Sequence, residues 1–161
     1  MTKMLLAAAA VALTLSACGG QPGGNAAAPA DAEQQRGANS QARSVAFKTL
    51  GGDMKEIGDI MKGATAYDVG SFKAKAATFV EHANAAFQHF AKDTTGTDGF
   101  SRPEVWSNPE GFKAEEDRFL QAVNKVNEAA QAGNLEQIKA AFGEAGASCK
   151  SCHDGFKIST K

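Results

Sequence analysis

The sequence lacks a surplus of either charge: 17 Lys and Arg face 18 Asp and Glu, a formal net charge of −1 with 22% charged residues. Without a basic excess there is no surface of the kind that nucleic acid or an anionic membrane requires, so electrostatics names no partner and nucleic acid is not expected. Strands are lacking as well, because from residue 33 onward no segment alternates apolar and polar side chains at a period of two. No internal repeat is visible. No catalytic dyad or triad stands out either, so no enzyme is expected. Cysteine is scarce: Cys18, Cys149 and Cys152 are the only three in 161 residues. That length, 43% hydrophobic, has room for one domain around one core.

What is present begins with a leader pattern. "MTKMLLAAAAVALTLSACGG" carries Lys3, an apolar run from Met4 to Leu15 and then small residues. This is the order of a secretory signal, and the run is too short to span a bilayer and stay. The ending "LSAC" at residues 15–18 resembles a bacterial lipobox, in which the Cys18 thiol receives a diacylglycerol before cleavage on its N-terminal side. Ordinary cleavage near Ala17, giving a soluble periplasmic chain, is the alternative. Gly19 after the cysteine, in place of Asp, leans towards the outer membrane. "GGQPGGNAAAPADA" then reads as a flexible tether, since this composition cannot form a packed core. The expected organisation is a signal peptide over 1–17, a lipidated N-terminus and linker over 18–32, and a folded domain over 33–161.

Four stretches of that domain carry apolar residues at helical spacing, which predicts an all-α, antiparallel up-down-up-down four-helix bundle. The first covers roughly residues 33–62, with Phe47, Leu50, Met54, Ile57 and Met61 on one face and Gly51 and Gly52 interrupting it. Each glycine costs about 1 kcal/mol relative to Ala in a helix interior, which predicts a bend or a close helix approach there. The second helix covers roughly 71–92, with Phe72, Ala76, Phe79, Ala83, Phe87 and Phe90. A long Gly-, Asp- and Thr-rich connection follows, in which Trp106 is expected to plug one end of the bundle. Ser107 with Glu110 has the capping-box pattern, opening a third helix to about residue 131, and Asn134 with Gln137 opens a fourth that continues past His153.

The chemistry is concentrated in "EAGASCKSCHDGF". On a helix Cys149, Cys152 and His153 fall at about 0°, 300° and 40°, so all three project from one arc, which suits a flat cofactor. C-x-x-C-H is the attachment signature of c-type haem: the two thiols add across the porphyrin vinyl groups and the imidazole coordinates the iron. Other readings exist. A dithiol redox motif usually follows a strand in a βαβ setting. Zinc would need two more soft ligands, while the other cysteine, Cys18, lies beyond the tether and His82 and His89 lie on another helix. Structural cysteines are the third alternative. With haem the cysteines are all used, one for lipid and two for thioethers.

In such a bundle the fourth helix lies beside the first and antiparallel to it. His153 comes about nineteen residues into its helix, and nineteen back from Lys62 is Arg43. This levelling sets the haem opposite Arg43, placed to pair with a propionate, and Phe47, placed to face the iron on the side away from His153. The chain at this point resembles the cytochromes c′ and related class II c-type cytochromes over roughly residues 34–157. The resemblance rests on "CKSCHDGFK", on "RPEVWSNPEGF", on "KGATAYD" after the first helix, and on the Arg43 to Lys62 spacing. It implies one covalent haem c, an arginine (Arg43) by a propionate, a residue four later (Phe47) that decides the sixth position, and a basic residue (Lys157) near the axial imidazole. Low-spin members look to have Met four after the Arg; a benzyl ring cannot ligate iron. Met54, about 10 Å further along the axis, is read as core filler, with Met61 farther still. His82 and His89 are read as surface histidines.

The expected function is therefore a five-coordinate, high-spin haem c protein with an apolar distal pocket capped by Phe47. Nitric oxide binds ferrous iron without the hydrogen bond that bound O₂ needs. The resemblance also implies nitric oxide binding and protection against nitrosative stress. The rival expectation is a six-coordinate electron-transfer cytochrome serving a periplasmic or membrane redox partner. The resemblance further implies a homodimer through the first two helices, and the lipobox a lipid-anchored periplasmic location.

Overall fold

A computed structural model describes residues 35–159. The signal pattern, Cys18, the tether and the first residues of the expected domain lie outside the described residues. The described residues form five helices: α1 (Ala38–Met61), α2 (Val69–Phe87), the one-turn α3 (Glu104–Ser107), α4 (Pro109–Gln131) and α5 (Leu135–Phe156). Among the described residues there is no strand, only two isolated bridges, Arg36 to Thr97 and Ser101 to Lys157. The four long helices make the antiparallel bundle, and no described helix is long and apolar enough to cross a membrane.

The expected apolar faces meet at the centre. Leu50 and Ile57 of α1, Phe72 and Phe79 of α2, Phe119 and Val123 of α4, and Ile138 and Ala145 of α5 are buried in one core. Three helices start on local side-chain caps that accept a backbone N–H: Asp68 from Ser71 (2.8 Å), Asn108 from Gly111 (3.1 Å) and Asn134 from Gln137 (3.1 Å). The capping box at Ser107 and Glu110 is corrected by this, since Ser107 ends α3 and Asn108 caps α4 with Pro109 at its first position. Proline drives the residue before it out of the helical region, so the cap falls on Asn108.

Other expectations shift too. The helix α1 begins at Ala38, not near residue 33, and its cap comes from afar: Asp93 accepts from the N–H of Asn39 and of Ser40, both at 2.8 Å. Gly37 has to be glycine for this, because a Cβ there would lie 2.2 Å from the Asp93 Cγ. The helix α2 ends at Phe87, so Phe90 belongs to the connection, although its ring still stacks on Phe87 at 5.8 Å. No close helix approach explains Gly51 and Gly52, for α1 runs unbroken through both and a Cβ on either would meet nothing within 4 Å.

The connection over residues 88–103 straps the start of α1 to the end of α5 at one end of the bundle. Thr97 donates to Gln35 O and accepts from Gly37 N–H, both at 2.9 Å, while Arg102 donates to Phe156 O and Ile158 to Phe100 O. Trp106 plugs this end as expected, half-buried, its Nε1 donating to Phe90 O at 2.8 Å. The seam between α1 and α5 is uneven. The two helices scarcely touch, and where they do meet, a Cβ on Gly58 would stand 3.6 Å from the Phe142 ring; towards the strapped end they part.

Candidate functional site

The gap between α1 and α5 is a cavity of about 370 Å³, within the size range of small-molecule sites, and all four long helices contribute to its wall. Cys149, Cys152 and His153 project into it from one face of α5, as their spacing requires. Both thiols are free and half-buried. Burial pushes each of them up, Cys152 to about 11 with the Glu115 carboxylate adding to the effect. A dithiol redox motif works through a thiolate made accessible by a lowered value, so these two thiols have the wrong electrostatics for it. The His153 imidazole is held below its ordinary value, first by partial desolvation of the ring and then by the Lys157 charge, against the opposing pull of Asp154. A neutral imidazole is the form that coordinates a metal.

Much of the remaining wall is aromatic. Phe47 meets Phe87 edge to face at 5.5 Å and Phe90 at 5.7 Å; Phe90 contacts Phe112 at 4.6 Å, and Phe112 contacts Phe156 at 5.3 Å. The Gly58–Phe142 contact gives the register of the seam. His153 lies eleven residues beyond Phe142, and Phe47 eleven before Gly58, so the two stand level across the cavity.

Arg43 is only 6% exposed and lines the same cavity. Its two terminal nitrogens donate to His89 O (2.6 Å) and Asp98 O (2.8 Å), tying α1 to the strap, and its guanidinium lies 5.0 Å from the Phe90 centroid. Burial lowers its affinity for a proton, with Asp93 and Asp98 acting against that. A guanidinium has five N–H groups, so donors remain for a bound anion. Lys157 caps α5, its N–H donating to His153 O at 3.2 Å. All six residues expected around the cofactor in this part of the chain are thus assembled at one place; Cys18 lies outside the described residues.

Some assignments change. Met54 lines the cavity wall as well as packing against the core, while Met61 does not reach it. His82 is bound to Asp53 at 2.7 Å and His89 offers its carbonyl to Arg43; neither imidazole lines the cavity. The sequence reading missed Arg36, Lys48, Gly51 and Phe156 as lining residues. For Gly51 a signal existed, one helical turn after Phe47 on the same face. For Phe156 one existed too, four residues after Cys152 on the same helix; for Arg36 none did, because it precedes α1 and is placed by its bridge to Thr97.

An aromatic-walled cavity of this size fits a porphyrin. Two thiols and an imidazole converge on it from one side, and Arg36, Arg43, Lys48 and Lys157 line it without a single carboxylate, which fits a dianionic macrocycle. The family model described as Cytochrome C′ matches residues 38–157. Cytochrome c′ of Alcaligenes xylosoxydans is 33% identical over 115 residues, 71% of this chain and 89% of that protein. A cytochrome c-556 of Agrobacterium tumefaciens is 31% identical over 126 residues, 76% of this chain and 96% of that one. A solved structure of a ferrous variant of the Alcaligenes xylosoxidans protein with bound NO superposes with a TM-score of 0.71 at 32% identity, covering 76% of this chain and 94% of that one. With that coverage and this site, the chain belongs to the cytochrome c′ family, whose members carry a single covalently attached haem c.

Proposed function

We propose that the protein is a five-coordinate, high-spin haem c protein that binds nitric oxide in the periplasm and protects against nitrosative stress. The observation that carries this reading is Phe47, a side chain with no atom able to ligate iron, level with His153 and held by Phe87 and Phe90. Cys149 and Cys152 would hold the macrocycle through thioethers, and His153 would coordinate its iron. The bound haem supplies an open coordination position and a one-electron couple. Around Phe47 the chain presents Leu50, Phe87 and Phe90, a surface that excludes water and gives no hydrogen bond to bound O₂. Phe47 has to leave its aromatic contacts before a distal ligand fits, so association is slow. Arg43 turns its remaining N–H groups to a propionate, and Lys157 keeps positive charge beside the proximal imidazole. The relative solved with NO bound supports the choice of ligand.

The test is spectroscopic. Nitric oxide added to the ferrous protein shifts its Soret band, and Phe47→Met drives the ferric protein towards low-spin six-coordination. An unchanged spectrum in that variant removes Phe47 from the sixth position.

The second reading is a periplasmic electron carrier with a six-coordinate haem. It is favoured by Met54, a thioether on the wall of the same cavity, and by the likeness to a cytochrome c-556. A low-spin ferric spectrum in the unmodified protein selects it.

The remaining assignments belong to the same reading. Cys18 carries a lipid that anchors the chain, with the outer membrane as its destination, and Cys18→Ser releases the protein to the soluble fraction. A homodimer through α1 and α2 is supported by Val45, 67% exposed on α1, and Val69, 45% exposed at the start of α2.

A further inference from the structure

A glycine inside a helix is destabilising relative to alanine, and nothing in α1 itself requires Gly51. The helix runs unbroken and meets no neighbour there, and the adjacent Gly52 is equally unencumbered. What separates the two is the cavity, which Gly51 lines and Gly52 does not.

Gly51 lies one turn C-terminal to Phe47 on the same face. Helical side chains lean back towards the N-terminus, so any side chain at position 51 would lie over the turn that carries Phe47. The register of the α1–α5 seam sets that turn level with His153. Phe87 and Phe90 pack against the Phe47 ring, and Gly51 leaves the cavity side of the turn that carries it uncovered.

We propose that Gly51 is a specificity-determining residue of the distal side: by leaving the turn of Phe47 uncovered, it gives that ring a place to swing and a diatomic ligand its room. This rests on the gas-binding reading above. Residue 51 then sets how fast and how large a ligand reaches the iron, while Phe47 sets whether the resting iron is five-coordinate.

The experiment uses the matured holoprotein and the variants Gly51→Ala, Gly51→Leu and Gly52→Ala. Carbon monoxide recombination after photolysis of the ferrous form is the rate probe, and ethyl isocyanide the size probe. Both alanine variants are expected to resist denaturant better than the parent, with unchanged Soret bands and high-spin ferric paramagnetic resonance spectra. Gly52→Ala recombines at the parent rate, Gly51→Ala several-fold more slowly, and Gly51→Leu by a factor of about ten or more, with loss of ethyl isocyanide binding. If Gly51→Leu fails to mature, the contrast between the two alanine variants decides. Equal rates in Gly51→Ala and Gly52→Ala overturn the proposal. So does a Gly51→Ala protein that is less stable with a shifted Soret band, because the glycine then makes room for the macrocycle itself. A parent protein that takes up neither carbon monoxide nor nitric oxide defeats the gas-binding reading, a different result from either of these.

Discussion

The two ends of the α1–α5 seam are made by the same pair of helices and finish differently. Near Gly58 the chain closes on itself: the Phe142 ring covers the glycine, and Ile57 and Ile138 are fully buried beside it. Near Phe47 the helices part around about 370 Å³ of space walled by aromatic rings and lined by cations. Side-chain packing makes the closed end. The open end is held by hydrogen bonds, with the strap over residues 88–103 bonded to the start of α1 and to the end of α5. A bundle of this kind keeps a cofactor-sized gap because backbone and carboxylate groups fix the helix ends, leaving the haem to complete the core there.

Breaking the open end at the cofactor gives the largest effect. Cys149→Ala combined with Cys152→Ala removes both thioether bonds, and haem staining on a denaturing gel is expected to vanish, with a fall in the thermal midpoint. At the closed end Phe142→Ala uncovers Gly58 and is expected to cost about 2–3 kcal/mol, less than a fully buried Phe because the ring is partly exposed. Urea unfolding measures it, and a loss well below 1 kcal/mol would mean that the seam is not closed there. Removing the strap's grip on α1 by Asp93→Ala takes away two hydrogen bonds to its first turn and is expected to cost about 1–2 kcal/mol by the same method.

The smallest effect is at Asp68, an exposed cap far from the cavity. The Ser71 N–H holds its carboxyl below the usual range, so its stabilisation is present at neutral pH. It fades as the pH falls from the ordinary carboxylate value through the lowered folded one. The parent is therefore expected to lose more of its thermal midpoint than Asp68→Asn between neutral pH and about pH 3, and parallel curves would show that the cap carries no charge-dependent stability.

Much of this architecture is written in local pattern. The apolar spacing of α1, α4 and α5, the Asn134 cap and the arc of Cys149, Cys152 and His153 all depend on neighbours within a few residues, and the structure reproduces them. The levelling of Arg43 and Phe47 against His153 was also within reach, because it follows from helix rise and antiparallel order. What local pattern misses is supplied from a distance. The cap of α1 comes from Asp93, more than fifty residues later, so the start of the helix was misjudged. Phe90 continues the spacing of α2 after the helix has ended, because its ring packs on Phe87 from the connection. The start of α4 was readable and misread, since Asn108 before Pro109 is a stronger stop than a Ser107 with Glu110 pattern. Arg43 was expected to serve the cofactor, and its bonds to His89 and Asp98 show a second task, holding the strap.

The most direct measurement is a low-temperature electron paramagnetic resonance spectrum of the matured ferric protein. With Phe47 level with His153 and unable to ligate, the account predicts a high-spin ferric signal. A purely low-spin spectrum, carrying a sulfur or nitrogen in the sixth position, would contradict it.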